Sequence, residues 1–377
     1  MKRLNSDRMR LVVVGVVAAM VLGGRSAKAD FTFGEPTNLG PPVSTSVADL
    51  PNYITADGLE MYLSYRNRTG GYGSWDIWVA RRETISDPWG APVNLGAPVN
   101  TGQAEDSACI SPDGLELYFD SNNRPGGYGG WDIWVTKRIT RDDVWGEPLN
   151  LGPVVNSSGV DALPWISSNG LELHFCAVNR IGGYGNADIW VSRRATKMDP
   201  WEEPVNLGPI VNSPACEAYS CLSSDGLMLF FSEEIGEPVR PGGFGSVDMW
   251  MTRRASVSDP WSTPVNLGSI VNSPSIDCEP ILSHDGSTLY FCSSRPGNLG
   301  GLYGDAYQAP IIPIVDFNGD RIVDAADMCI LVDHWGTDYS LCDIGPMPWG
   351  DGVVDVQDLI VLAEHLFEQL PGRPINP

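Results

Sequence analysis

Five carboxylates recur in this chain at one place in a repeating pattern. Asp49, Glu105, Asp161, Glu217 and Asp277 each stand nine residues before the glycine of an S-x-D-G-like turn. Like charges brought close repel, so such a set must bind a cation, retain protons or accept hydrogen bonds from backbone donors. Two carboxylates ~5–5.5 Å or ~6.5–9.5 Å apart would have the geometry of a glycoside-cleaving pair. A second acidic pattern lies near the C-terminus. Asp316, Asn318, Asp320, Asp324 and Asp327 occupy positions 1, 3, 5, 9 and 12 of one loop, the spacing with which oxygen ligands wrap a hard cation such as Ca²⁺.

The elements that must position these groups follow from a repeat of roughly 56 residues. Asp76, Asp132, Asp188, Asp248 and Asp305 mark its D-I-W-V-like site, and Trp89, Trp145, Trp201 and Trp261 each precede a P-V-N-L-G-like segment. Short aromatic and β-branched runs between Gly, Pro and Asn turns predict four strands per repeat, one blade of a β-propeller. The repeats lack the 3.6-residue apolar period of a helical solenoid. In the second repeat the predicted order is an outer segment Pro92 to Leu95, an inner strand Ala108 to Ser111, a middle strand Leu115 to Phe119 and a third strand Asp132 to Thr136. The first outer segment, Pro36 to Leu39, precedes any complete repeat, and the last repeat ends after its third strand near Ala309. The N-terminal segment is therefore expected to complete the final blade and remove its exposed edge. The expected fold is mainly β, a five-bladed β-propeller closed by the N-terminal strand and followed by a small α-helical domain. Ser111 to Phe119 (S-P-D-G-L-E-L-Y-F) and the G-G-Y-G-x-x-D-I-W-V after it resemble the WD-like, Tol-type propeller repeats of bacterial envelope proteins, over residues 33 to 309.

In such a propeller the innermost strands line the central channel, so the five acids are expected as a ring at one of its mouths. The favoured reading is a cap on the inner strand copied with each duplication; binding of a cation, a glycan or a small polar ligand is the next. A glycoside hydrolase or lyase is the sharper alternative, with Glu105, Asp161, Glu217 and Asp277 as its candidate catalytic acids. Asp106, Glu279 and the insertion Ser232 to Glu237 add acids that break the symmetry. The repeated D-I-W-V aspartates are read as hydrogen-bonding neighbouring turns. The glycine pairs beginning at Gly70, Gly126, Gly182 and Gly242 are read as tight connections at positive φ. There is no G-x-S-x-G elbow, P-loop, H-E-x-x-H or paired C-x-x-C, and the four histidines are scattered.

Beyond the apolar linker the cation-loop pattern is duplicated. Met328, Leu331, Val332 and Trp335 are expected on the buried face of a first helix, and Leu359, Leu362, Ala363 and Leu366 on that of a second. The pair resembles a type I dockerin, the calcium-dependent module that plugs into cohesin domains of polysaccharide-degrading assemblies. The resemblance implies Ca²⁺ ligands at Asp316, Asn318, Asp320, the Ile322 carbonyl, Asp324 and Asp327. Arg321 replaces the glycine expected at position 6. In the second copy Met347 and Trp349 stand where in-register ligands should be; the preferred reading is a loop enlarged by four residues, with Asp343, Asp351, Asp355 and Asp358 as ligands. By the same resemblance the contacts to a cohesin-type partner fall at Ala325, Ala326, Val356 and Gln357. Cys329 and Cys342 are a candidate disulfide.

The N-terminus has a basic stretch, an apolar run Leu11 to Leu22 and a small-x-small site at Ala27 to Ala29, the pattern of a signal peptide. That run is short of the ~20 residues that span a bilayer. Its removal would take the net charge from −23 to −28, which disfavours nucleic acid and anionic lipid as partners. The eight cysteines suit an oxidising compartment, and Cys216 and Cys278 are a candidate bridge between adjacent blades. The expected organisation is a leader over 1–29, a propeller over 30–310, a linker over 311–315, a dockerin-like domain over 316–370 and a tail over 371–377. The leading functional reading is a secreted, non-catalytic binding or scaffold protein of a polysaccharide-related extracellular system, at the cell surface, outside the cell or in the periplasm. A glycoside hydrolase and a structural envelope component are the alternatives.

Overall fold

The computed structural model describes residues 31–234, 239–300, 304–318, 322–337, 342–345 and 353–367. The leader, the tail, Asp320, Arg321, Met347, Trp349, Asp351 and residues 235–237 of the acidic insertion lie outside the described residues. The structure is mainly β. It opens with β1 (Phe31–Phe33) and β2 (Thr37–Asn38). An antiparallel sheet follows: β3 (Asp49–Ile54), β4 (Glu60–Arg66), β5 (Trp75–Arg81) and β6 (Val93–Asn94). The same order repeats as β7 (Ala104–Ile110), β8 (Glu116–Asn122), β9 (Trp131–Lys137) and β10 (Leu149–Asn150), then as β11 (Val160–Ile166), β12 (Glu172–Val178), β13 (Ala187–Arg193) and β14 (Val205–Asn206). It repeats again as β15 (Glu217–Leu222), β16 (Met228–Glu233), β17 (Met249–Arg253) and β18 (Val265–Asn266). The last set is β19 (Asp277–Leu282), β20 (Thr288–Ser293) and β21 (Asp305–Pro313).

The missing outer strand of the last set comes from the N-terminus. Thr37 pairs with Gln308 and Asn38 with Tyr307, and β1 continues along the same edge with Phe31 opposite Pro313. At the centre β3 touches β7, β7 touches β11, β11 touches β15, β15 touches β19, and β19 returns to β3. The inner strands thus close a propeller-like ring. Because neighbouring sheets cover both faces, the strands read as continuous apolar runs: in β13 (ADIWVSR) all but the last residue are buried.

Local chemistry explains the turns. In the inner-to-middle hairpin the Ser111 hydroxyl donates to Asp113 Oδ1 at 2.6 Å and accepts from Glu116 N–H at 2.9 Å, an arrangement repeated at Ser167, Ser223 and Ser283. Each D-I-W-V aspartate accepts N–H groups from the turn before it, as Asp132 does from Tyr128 at 2.7 Å and Gly129 at 3.2 Å. The glycine pairs divide two tasks. Gly126 sits at φ +91°, whereas Gly127 is needed for space, since a β-carbon there would collide with the Asp132 carboxylate. The sequence pattern did not single out Asn100, Asn156, Asn212 and Asn272, whose buried amides bridge the backbone of the third strand; Asn156 accepts from Ile133 N–H at 2.8 Å and donates to its carbonyl at 3.0 Å.

The C-terminal part holds α1 (Ala325–Asp333) and α2 (Val356–Glu364). Asp324 and Asp355 cap them, each with a reciprocal bond from the third helical residue, Asp327 or Asp358. Val315, Val323, Leu331, Ile344, Val354, Val361 and Leu362 form a core of their own. The buried face is rotated from that expected: Val332, Trp335 and Ala363 are exposed, and Val361 takes part instead. The two halves are cross-linked by Gly336 N–H to the Val354 carbonyl at 2.8 Å and Phe367 N–H to the Val323 carbonyl at 2.7 Å. Cys329 is exposed and Cys342 buried, and neither is disulfide-bonded.

A chain starting at Gly40 would lose β1 and β2 and bare one edge of β21. We expect a melting temperature lower by several degrees and concentration-dependent association on size exclusion. A monomer with the full-length melting temperature would contradict the closing role.

Candidate functional site

The five recurring acids are all buried to 0 % exposure. Each starts its inner strand or sits one residue inside it, and is capped by a hydroxyl residue four positions earlier. Thr101 donates to Glu105 through its N–H at 2.7 Å and its hydroxyl at 2.6 Å, and Ser273 to Asp277 at 2.5 and 2.7 Å. The same N–H bond joins Thr45 to Asp49, Ser157 to Asp161 and Ser213 to Glu217, at 2.5, 2.5 and 2.9 Å. An arginine of the same repeat completes four of the sites: Arg124 lies 3.6 Å from Glu105, Arg180 3.0 Å from Asp161, Arg240 3.0 Å from Glu217 and Arg295 2.7 Å from Asp277. These groups therefore act inside their own sheets. They are not an open ring of mutually facing carboxylates, because each is desolvated and satisfied separately. Burial nevertheless holds Asp161 and Glu217 above the usual carboxylate range. Asp49, with no arginine in ion-pair contact, is pushed by burial to about 7.

The channel wall is made two residues further on. Every inner strand carries a register shift there, between Pro51 and Tyr53, Asp106 and Cys109, Ala162 and Trp165, Ala218 and Cys221, and Cys278 and Ile281. Four bulges hold a non-glycine residue at positive φ: Ser107 at 52°, Leu163 at 59°, Tyr219 at 50° and Glu279 at 57°. In β3 the repeat places Pro51 there, whose ring forbids that φ. These five residues surround a central cavity of about 40 Å³, room for a few water molecules. Backbone strain concentrated at one site of a fold points to function.

Acids that depart from the repeat lie at or beside these bulges, and Glu279 among them lines the cavity. Asp106 and Asp120 face each other across β7 and β8, and the sequence signal for Asp120 was that Ser64, Cys176, Ser232 and Cys292 occupy its place elsewhere. Asp120 accepts Leu163 N–H at 2.7 Å through one oxygen, while its other oxygen, Glu279 Oε2 and Ser220 Oγ are buried without a protein partner among the described residues. Burial, reinforced by mutual repulsion, drives Asp120 and Glu279 far above the carboxylate range, and burial also raises Asp106. Glu233, by contrast, is satisfied: it accepts from Asp248 N–H at 2.6 Å and Trp250 Nε1–H at 2.8 Å.

In the C-terminal loops the twelfth-position acids are fully buried. Asp327 Oδ1 accepts Phe317 N–H at 2.7 Å and Asn318 N–H at 3.2 Å, and Asp358 Oδ1 accepts Ile344 N–H at 2.5 Å and Gly345 N–H at 2.7 Å. The acceptors lie 31 residues apart and the donors 27, so the second loop is four residues longer. This geometry brings Asp316 and Asn318 beside Asp327, and Asp343 beside Asp358, donor sets that fit a hard cation. Among the described residues no three His, Cys, Asp or Glu side chains are already gathered as a metal site; Asp320 and Asp351 lie outside those residues. Ala325, Ala326, Val356 and Gln357 are exposed on the first helical turns. The cysteine placement differs from the candidate bridge: Cys278 lies opposite Cys292, and Cys216 clusters with Cys176.

No family model matches the chain, and no curated protein is similar to it. Among solved structures it is similar to TolB from Acinetobacter baumannii, at 14 % identity over 82 % of this chain and 71 % of that one, TM-score 0.44. It is also similar to the α-L-arabinofuranosidase PaAbf62A from Podospora anserina, solved with cellotriose, at 13 % identity over 75 % and 98 % of the chains, TM-score 0.46. An α-L-arabinofuranosidase from Lactobacillus brevis matches at 14 % identity over 72 % and 92 %, TM-score 0.46. No helix among the described residues is long and apolar enough to cross a membrane.

Asp49 offers a pH test. Its carboxyl rises from 3.8 to about 7 on folding through burial, with Asp305 raising it further and Arg68 opposing. The stability it gives is complete below 3.8 and is lost as pH rises towards 7, with a slope of up to ~1.4 kcal/mol per pH unit. Asp49→Asn should therefore gain on the wild type between pH 4 and 7 and run parallel above pH 8 in thermal melts. Parallel curves throughout would contradict the assignment.

Proposed function

We propose that this chain is a secreted, non-catalytic binding protein: a five-bladed propeller closed by its N-terminal strand and displayed through a calcium-binding, dockerin-like domain. The observation that carries the reading is the matched closure of the two C-terminal loops by Asp327 and Asp358. In this reading calcium is held by Asp316, Asn318, Asp320, the Ile322 carbonyl, Asp324 and Asp327, and in the longer loop by Asp343, Asp351, Asp355 and Asp358. The bound cation supplies the charge that lets these carboxylates stand together. Both first helical turns then offer Ala325, Ala326, Val356 and Gln357 to a cohesin-type domain. Against catalysis by the recurring acids stands their burial, each with its own cap. One observation favours the hydrolase reading, the unrepeated acids Asp106, Asp120 and Glu279; against it, a cavity of about 40 Å³ does not admit a sugar ring.

In the full chain, calcium should raise the melting temperature of the C-terminal transition and chelator should lower it, with the propeller transition unchanged. Asp316→Ala should weaken that response and Asp316→Ala with Asp343→Ala should abolish it. Hydrogen exchange over residues 314–367 that ignores calcium would overturn the proposal. For the hydrolase reading, polysaccharide turnover by the wild type, lost in a folded Glu279→Gln variant, is the deciding result.

A further inference from the structure

Arginine bridges tie some neighbouring blades and are missing at others: the seam between blades four and five has Ile311 and Met228 at the bridging positions, and the seam between blades one and five is the one that opens into a large groove. At the end of four of the five third strands an arginine lies over a tryptophan: Arg82 over Trp89 at 4.2 Å, Arg138 over Trp145 at 4.3 Å, Arg194 over Trp201 at 4.3 Å and Arg254 over Trp261 at 4.4 Å. Each donates its Nε–H to a glycine carbonyl of its own blade, at 2.7 or 2.8 Å. The guanidinium then reaches the preceding blade, where Arg194 meets Glu116 at 3.4 Å and Arg254 meets Glu172 at 3.3 Å. A second bridge spans the hairpin tips, Arg141 to Asp57 at 2.8 Å and Lys197 to Asp113 at 3.0 Å.

Between the first and fifth blades both bridges are absent. Thr288 stands where Glu116 and Glu172 stand in their blades, and Ile85 stands where Arg141 and Lys197 stand. Among the described residues no carboxylate pairs with Arg82 across the seam, where the Tyr290 hydroxyl lies beside it. Asp285 spends Oδ1 on Ser283 and Ser287, and its Oδ2 lacks the cation that Asp57 and Asp113 receive there. The result is a groove of about 1020 Å³ lined by Arg82, Thr288, Asp285, Gln308, Ile85 and residues near them. The seam between blades three and four loses only the tip bridge, with Val257 opposite Asn169, and its groove is about 550 Å³.

We propose that the seam groove binds a carboxylate-bearing saccharide, whose carboxylate takes on Arg82 the place of the missing glutamate. Arginine suits this role because its planar fork matches a carboxylate, and stacking on Trp89 fixes its plane. The walls suit a sugar: the Thr288 hydroxyl, the Gln308 amide and the Asp285 carboxylate for its hydroxyls, with Ile85 as an apolar ledge. The groove has the size of ordinary small-molecule sites. This deepens the binding reading above, on which it rests.

The test uses calorimetry on the full chain without calcium, with a glucuronate-containing disaccharide and its neutral glucose counterpart as probes. The acidic probe should bind and the neutral one should bind at least tenfold more weakly. Arg82→Gln should lose the preference. Thr288→Glu should restore the internal bridge, displacing the acidic probe by tenfold or more while keeping or raising the melting temperature, so a folding defect in the arginine variant cannot decide the matter. Equal binding of both probes, no binding by the wild type, or undiminished binding by Thr288→Glu would overturn the assignment. An intact calcium response alongside such a failure would leave the display reading standing.

Discussion

A buried carboxylate at the start of each inner strand is the constraint on which the propeller depends. Taken out of water, it must be satisfied from several directions at once. In the third repeat Ser157 holds Asp161 from the connecting loop, while Arg180 reaches it from the end of the middle strand and also donates to the Val155 carbonyl at 2.7 Å. Loop, inner strand and middle strand are thus knotted at one point. Removing the acid would leave a half-buried guanidinium without its counter-charge and the Ser157 N–H without its acceptor, so the repeat tolerates exchange of Asp for Glu here but supplies an acid every time.

Once that demand is met by local partners, the informative residues are those that depart from the repeat. Asp120 replaces a serine or cysteine, Glu279 occupies a strained bulge, and Thr288 and Ile85 remove two bridges at the same seam. Burial pushes the carboxyls of the central acids upward, and among the described residues no arginine pairs with them. The seam departs in the opposite way, by leaving charged groups facing solvent. These two sites share no bonds, and only the second has room for more than water.

Much of this was legible in the sequence. The repeat register gave the strand order and the closing strand, because an outer segment stood unpaired at one end and a third strand at the other. The capping role of Asp76 and its counterparts followed from the cost of burying a carboxylate. The ring of acids at a channel mouth was not legible correctly. A strand pattern alternates with period two, and the register shift after Asp106 and its counterparts moves the channel-facing position to Ser107, Leu163, Tyr219 and Glu279. A one-residue shift exchanges the faces, and nothing in the residue types announces it. The seam was invisible for another reason: it is defined by what Thr288 and Ile85 lack, and this shows only when the first and last blades meet.

The C-terminal loops show the same division between what closes a motif and what fills it. Helix caps, core residues and cross-links all repeat at 31 residues: Asp324 with Asp355, Asp327 with Asp358, Val323 with Val354. Only the segment before them differs in length. Asp358 still gathers the N–H groups of Ile344 and Gly345, so the register of the second loop is set from its C-terminal end. Lengthening a flexible loop from 12 to 16 residues adds only a few tenths of a kcal/mol in closure entropy. That is less than the ~1 kcal/mol of one hydrogen bond. Four extra residues therefore cost little thermodynamically, and Asp358 closes the longer loop on an N–H pair equivalent to the one that Asp327 holds in the shorter one.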